Sequence, residues 1–303
     1  MTCQTWPIRS FLFVPAHRPA WVAKALRCAP EAIILDLEDS VPPAEKQSAR
    51  KLLAAEVAEA HAGGVKVFVR INQLSSETAD ELEAAVRDGL TGLIVPKVDG
   101  PSEVRRVHDL LSHAEGRAGL RHESVSLLLL PETARGVLLA FEVASASSRV
   151  RGLIGSVSGL VAGDVAAAVG YRPSASGEEQ IYVNSRLVLA SRAAGALYPI
   201  AGTMGVPVGD AAAMETLIRR ARHLGFSGVA LIHPSHVEIA HRVLRPTTEE
   251  VAHAAGLLEA LEAAENRGEG AVIYKGYMID QAMVAAAREI LRDAGKTAGR
   301  LRN

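Results

Sequence analysis

The sequence predicts an α/β protein: a (β/α)8 barrel of the TIM type over residues 1–241, followed by a C-terminal helical extension over residues 242–303. Three observations lead there. Short apolar, β-rich runs recur eight times, segments of helical period lie between them, and polar residues gather where each apolar run stops. A doubly wound sheet shares the alternation.

The first run, "SFLFVPA" (10–16), precedes "PAWVAKALRCA", which opens on Pro at a first-turn position. "AIILDLED" (32–39) leads into "PAEKQSARKLLAAEVAEAHA", again Pro-initiated. "KVFVRIN" (66–72) and "GLIVPKV" (92–98) are followed by "SETADELEAAVRDG" and "PSEVRRVHDLLSHAEG", each closed by a Gly that suits a helix stop. "VSLLLLPET" (125–133) runs into "ARGVLLAFEVASA", and "RGLIGSVSG" (151–159) precedes "SGEEQIYVNSRLVLASRAAG". "ALYPIAGTM" (196–204), "GDAAAMETLIRRARHLG" and "GVALIHP" (228–234) finish the barrel. The glycines of 152–163 lack the Gly-Lys-Ser/Thr of a phosphate loop and read as a flexible strand-end loop. Beyond them come a helical run from Thr247, a Gly-rich stretch "GEGAVIYKGYMIDQ" and a last helix near 281–294.

A chain of 303 residues with 49% hydrophobic residues can bury a large core. With 33 Lys and Arg against 34 Asp and Glu there is no general basic field, so neither nucleic acid nor an anionic membrane is an expected partner. The two cysteines, Cys3 and Cys28, show no metal-knuckle spacing; the expectation is a reducing cytoplasm, with neither thiol catalytic. No apolar run approaches the ~20 residues that span a bilayer, and the first residues do not read as a signal peptide.

Barrel chemistry collects at the C-terminal ends of the strands. Those ends carry Asp36, Glu38, Asp39, Arg70, Lys97, Glu132, Asp164 and His233. Alternation along "KVFVRIN" turns Val67, Val69 and Ile71 toward the helices and Phe68, Arg70 and Asn72 toward the interior. An inward guanidinium wants a bidentate carboxylate, which Asp36 or Glu38 could supply as a salt bridge or a ligand could supply in their place. Glu132 suits either a helix-terminal acid or a metal ligand. Carboxylates around one rim repel unless a cation joins them, and oxygen donors favour Mg²⁺ or Mn²⁺ over Zn²⁺. His233 could pack at the rim or act there, and Lys97 could be a second ion-pair partner.

The stretches "RSFLFVPAHRP", "ILDLEDSVPPAEK", "VFVRIN", "GLIVPKV", "LLPETARGV", "GDVAAAVG", "LGFSGVALIHPSHV" and "GYMIDQAMVAAAREIL" together resemble the citrate lyase β-subunit-like group of the HpcH/HpaI aldolase family. The resemblance implies a TIM barrel, usually a homotrimer or a dimer of trimers, with Mg²⁺ held by Glu132 and Asp164. It implies that Arg70, oriented by Asp36, grips the carboxylate of a keto acid near Glu132, and that Glu38 and Asp39 hold waters at the metal. Arg18 and Lys97 are the cations it suggests for coenzyme A, and Asp280 would reach a neighbouring subunit's site from a lid segment. The pattern departs from the family at Gly163, Ala168, Ala201, Val229 and Gln281. The implied activity is carbon–carbon cleavage or condensation of a citryl-, citramalyl- or malyl-CoA-type thioester. A class II pyruvate-type aldolase without a thioester and a non-catalytic barrel subunit of a complex are the alternatives.

Overall fold

The structure is a computed structural model that describes residues 6–300; Cys3 lies outside them. The chain divides into two compact units, Met1–His241 and Arg242–Asn303.

The first unit is a closed barrel of eight parallel strands, each hydrogen-bonded to the next, with the eighth returning to the first. In order these are β1 (Ser10–Pro15), α1 (Ala20–Leu26), β2 (Ala32–Asp36), α2 (Lys46–Ala62), β3 (Lys66–Arg70), α3 (Thr78–Ala85), β4 (Leu90–Val95), α4 (Pro101–Arg117) and β5 (Ser126–Leu129). Then come α5 (Ala134–Leu138), α6 (Ala140–Ala144), β6 (Val150–Ser158), α7 (Asp164–Val169), α8 (Ile181–Ala193), β7 (Ile200–Met204), α9 (Ala211–His223), β8 (Gly228–Leu231) and α10 (Val237–Leu244). Period-two alternation sends one residue of each strand to a common inner layer: Phe11, Ile34, Phe68, Ile94, Leu128, Ile154, Ile200 and Ala230 all belong to one buried cluster. Burying each of the larger ones contributes roughly 1.5–3 kcal/mol.

Several strands stop earlier than the apolar runs suggest, because the polar residues that end them turn into loops. Ile71 and Asn72 lie beyond β3, and the alternation that would aim Asn72 inward no longer applies. Its backbone N–H and side-chain amide donate to Glu81 on α3, on the outer side. Conversely, Gly152 and Gly155 belong to β6 and not to a flexible loop. A Cβ on Gly152 would stand 2.0 Å from the Tyr198 carbonyl oxygen, so close approach of backbone, not mobility, requires glycine there. The segment "ARGVLLAFEVASA" forms two short helices, separated at Leu139. Asp164 opens a short helix and is not a strand end.

Far from the C-terminal rim, Arg149 and Glu115 are an ion pair closed to solvent, 0% and 1% exposed. Arg149 also donates to the Ser112 hydroxyl and the Val125 carbonyl. Glu115 accepts from the backbone N–H groups of Glu123 and Val125 as well. Burial raises the Glu115 carboxyl pKa, but Arg149 and these donors outweigh it and hold it below the usual carboxylate range.

The second unit holds α11 (Thr248–Glu265), a hairpin of β9 (Ala271–Tyr274) and β10 (Tyr277–Asp280), and α12 (Val284–Arg300). Thr247 and Glu250 cap α11 reciprocally. Leu257, Leu261, Ile279 and Val284 form its core. The hairpin turn is Lys275-Gly276, with φ of 49° and 86°, the left-handed pair of a two-residue primed turn. A lysine in the position usually taken by Asn or Asp hides this turn from sequence reading.

Candidate active site

The polar rim is built by register. Asp36 ends β2 and is the Cα partner of Arg70, which ends β3, and both point inward. Arg70 Nε donates to Asp36 Oδ1 at 2.6 Å and Nη2 to Oδ2 at 2.8 Å. Nη1 stands 2.9 Å from Glu38 Oε2, an ion pair without hydrogen-bond alignment. The Phe13 ring covers the guanidinium, 4.8 Å from Cζ. Burial pushes the Asp36 pKa up; the charge and hydrogen bonds of Arg70, the Ser40 hydroxyl and the Glu38 N–H together hold it below the usual range. Asp36 is therefore a fixed anion, and Arg70 a pocket-lining guanidinium whose Nε and Nη2 are committed to Asp36 and whose Nη1 stands against Glu38.

The "DLED" turn is held from below. Lys46, the first residue of α2, donates its ammonium to the carbonyls of Leu37 and Glu38 at 2.8 and 3.0 Å and to Asn72 Oδ1. Ser40 closes the turn through its N–H to Asp36 Oδ2. Sequence reading passed over Lys46, Asn72's outward role and Ser40; a lysine ten residues beyond the strand-end Asp36 carries no signal until the turn brings it back.

Lys97 follows β4 with a left-handed φ of 53°, unusual for a side-chain-bearing residue. That backbone aims Nζ at Glu38 Oε1 (2.8 Å), Asp39 Oδ1 (3.4 Å) and Asp164 Oδ2 (3.3 Å). Burial draws its ammonium pKa down, but Glu38, Asp39 and Asp164 overcome this and raise it. Burial pushes the Glu38 carboxyl up, against Arg70 and Lys97.

Glu132 comes from the "ETARG" turn, in which Thr133, Arg135 and Gly136 fix the backbone. Thr133 caps α5, accepting from the Gly136 N–H and donating to Asp99. Arg135 pairs with Asp99 at 3.3 Å. A Cβ on Gly136 would stand 2.2 Å from the Val98 carbonyl, so the turn packs flat on the β4 loop. Glu132 is left facing the pocket with Oε2 buried and without a hydrogen-bond partner. Burial raises its carboxyl pKa to about 7, with Glu38 and Asp164 adding repulsion.

Asp36, Asp39, Arg70 and Glu132 line one pocket of about 300 Å³, closed on the other side by Ile154, Ser156, Val165, Gly202, Met204, Ala230 and Ile232. Glu38, Lys97 and Asp164 join this group through the contacts above; His233 and Arg18 do not. His233 caps the turn at Pro234–His236 through its side chain, and Arg18 is exposed just after β1. Asp280, in the second unit, is exposed and caps the turn that starts α12, accepting from the Ala282 N–H at 2.9 Å.

The donor set suits a hard divalent cation. Glu132 offers a buried carboxylate oxygen that nothing else satisfies, and Asp164 offers an exposed carboxylate close enough to perturb it. Among the described residues no three His, Cys, Asp or Glu side chains form a ready cation cage. Two carboxylates with the remaining positions left to water and substrate oxygens is the pattern Mg²⁺ accepts.

A closed barrel with an acidic, arginine-bearing pocket at the C-terminal strand ends defines a (β/α)8 protein with its pocket where barrel chemistry collects. The chain belongs to the HpcH/HpaI aldolase/citrate lyase family, whose model matches residues 9–234. The citrate lyase subunit beta-like protein of Deinococcus radiodurans is 34% identical over 289 residues, 94% of this chain and 96% of that protein. The L-malyl-CoA/beta-methylmalyl-CoA lyase of Cereibacter sphaeroides is 34% identical over 310 residues, 95% of each chain. CitE of Mycobacterium tuberculosis, crystallised with magnesium, acetoacetate and coenzyme A, matches with a TM-score of 0.72 at 29% identity over 96% of this chain and 99% of that one. No helix among the described residues is long and apolar enough to cross a membrane.

Proposed function

We propose that the protein is a Mg²⁺-dependent carbon–carbon lyase that cleaves a 3-hydroxy-3-carboxyl acyl-CoA thioester, of the citryl-, citramalyl- or malyl-CoA type, to a 2-oxo acid and an acyl-CoA, or joins them in reverse. The observation that carries this reading is the buried, unpartnered Glu132 Oε2 facing the same pocket as the Asp36-oriented guanidinium of Arg70. The relatives that act on malyl-CoA or bind magnesium, acetoacetate and coenzyme A support it.

Glu132 and Asp164 would hold the cation, Mn²⁺ serving in place of Mg²⁺, and the bound ion supplies Lewis acidity toward the substrate's oxygens. Arg70 binds the substrate carboxylate through Nη1 and Nη2 in place of the unaligned contact with Glu38, while Asp36 keeps the fork from rotating. Glu38 and Asp39 would hold waters at the metal, and Lys97 bridges the two of them to Asp164. Lys97 is already engaged by three carboxylates, so the exposed Arg18 is the better of the two cations for the phosphates of coenzyme A. When the carbon–carbon bond breaks, the hydroxyl oxygen gives up its proton to solvent water as it becomes the keto oxygen, and the electron pair of the broken bond passes to the thioester fragment. Asp280 of a neighbouring subunit in a homotrimer delivers a proton to that carbon, and removes it in the condensation. A cytoplasmic location goes with this reading.

Incubation of the purified protein with MgCl₂ and a panel of synthetic 3-hydroxy acyl-CoA thioesters tests the reading. Release of a 2-oxo acid with the matching acyl-CoA, abolished by EDTA and restored by Mg²⁺, is expected. Cleavage of free hydroxy acids without a thioester supports the aldolase alternative instead, and no turnover with any substrate overturns the lyase.

A further inference from the structure

The two walls of the pocket differ in chemistry, and the difference follows the order of the strands. The β2, β3 and β5 side supplies Asp36, Asp39, Arg70 and Glu132. The opposite side, from β6 through β8, supplies Ile154, Val165, Met204, Ala230 and Ile232, with the Ser156 hydroxyl its one polar side chain. In a ring of eight strands β7 stands across from β3. A carboxylate gripped by Arg70 therefore sends the far end of a small acid toward Met204 and Ile232. Arg70 is the single cationic residue among those lining the pocket. Lys97 is tied to Glu38, Asp39 and Asp164 and does not line the pocket. A second carboxylate on the ligand would meet one hydroxyl and a methyl-rich wall, and its desolvation would go uncompensated.

We infer that the 2-oxo acid of this site is monocarboxylic with a short apolar tail, of the pyruvate or 2-oxobutanoate kind, and not a dicarboxylic acid such as oxaloacetate. This rests on the lyase reading above and narrows it to thioesters whose hydroxyl-bearing carbon carries a methyl or ethyl group. The pocket volume of about 300 Å³ matches so small a head group, with the acyl carrier left outside.

Isothermal titration in MgCl₂ with pyruvate, 2-oxobutanoate and oxaloacetate tests the inference on the full chain. The expected order is 2-oxobutanoate tighter than pyruvate by about fourfold, the value of one buried methylene, and oxaloacetate at least ~10-fold weaker than pyruvate. Ile232→Lys puts a cation on the apolar wall at a position 53% exposed, where folding tolerates it. That variant, and Met204→Lys beside it, should tighten oxaloacetate and loosen 2-oxobutanoate. Oxaloacetate binding the unaltered protein as tightly as 2-oxobutanoate overturns the inference, as does an unchanged order in a folded Ile232→Lys protein. Failure of all three acids to bind with Mg²⁺ present overturns the lyase reading itself, which separates the two outcomes.

Discussion

Asp36 and Arg70 are register partners on adjacent strands, and their side chains meet in a two-point ion pair of 2.6 and 2.8 Å. The pair is both a structural bond and a way of aiming the guanidinium, and Arg70→Lys separates these uses. Lysine keeps the charge and loses the planar fork. The variant should stay folded, with a melting temperature within a few degrees of the parent, and bind 2-oxo acids at least ~10-fold more weakly. Unfolding, or unaltered binding, would leave the pair a structural salt bridge and nothing more.

Substitution of Glu132 or Asp164 by Ala should each weaken Mg²⁺ binding by at least ~10-fold. Glu132→Ala also removes a buried unpartnered carboxyl oxygen, so it should not destabilise the metal-free protein. Mg²⁺ affinity unchanged from the parent in both variants, measured by titration, would remove the assignment.

Glu56 sets a pH dependence remote from the pocket. On α2 it is 1% exposed, and both its carboxyl oxygens are buried without partners. Burial, with the charge of Glu59 adding to it, raises its pKa to about 8. The folded pKa lies above the ordinary value of 4.5, so the folded state prefers the proton. Its contribution is fully present below pH 4.5, is lost as pH climbs toward 8, and is flat beyond. Glu56→Gln should raise stability at neutral pH by on the order of 3 kcal/mol and change little at pH 4. Denaturant melts at both pH values decide it, and a variant no more stable than the parent at neutral pH refutes it.

Arg149 and Glu115 predict the opposite kind of effect. Each is closed to solvent, so removing one leaves the other charged and unpaired. Glu115→Ala should cost about 3–5 kcal/mol, whereas replacing both by apolar residues of similar size should cost far less. A double-mutant cycle in urea reads the coupling directly.

Asp280 is tested by mixing. Glu132→Ala and Asp280→Ala proteins should each be nearly inactive. Co-refolded in equal amounts they should regain about a quarter of normal activity, because random cyclic assembly pairs an intact barrel with an intact neighbouring Asp at that frequency. No regain in verified mixed oligomers confines Asp280 to its own chain or to its helix cap.

The fold was legible because apolar runs and helical segments alternate without interruption, and the acids at the ends of those runs pointed to the rim. Arg70 could be paired from the sequence with Asp36 or Glu38, since strand parity turns all three to the same side; the register that selects Asp36 is seen only in the structure. Asn72 could not: parity holds only while the strand lasts, and β3 ends two residues before it. Nor could Lys97's place among three carboxylates be read, because it depends on a left-handed backbone in a lysine. The hairpin at residues 271–280 was missed for the same reason at Lys275. Long-range support such as Lys46 under the "DLED" turn has no local signature at all.

Strand β1 is bonded to both β2 and β8, so the ring has neither a first nor a last strand. No amide of the ring can be released by peeling from a border; opening one strand means breaking two ladders at once. The β9–β10 ribbon is the contrary case, with two free borders and Ile273, Tyr277 and Met278 more than two-thirds exposed. Deuterium should therefore enter the ribbon by local opening within minutes, while the inner amides of β2 and β3 wait for rupture of the whole ring. The same borders make the ribbon the place where self-association of the isolated chain would begin.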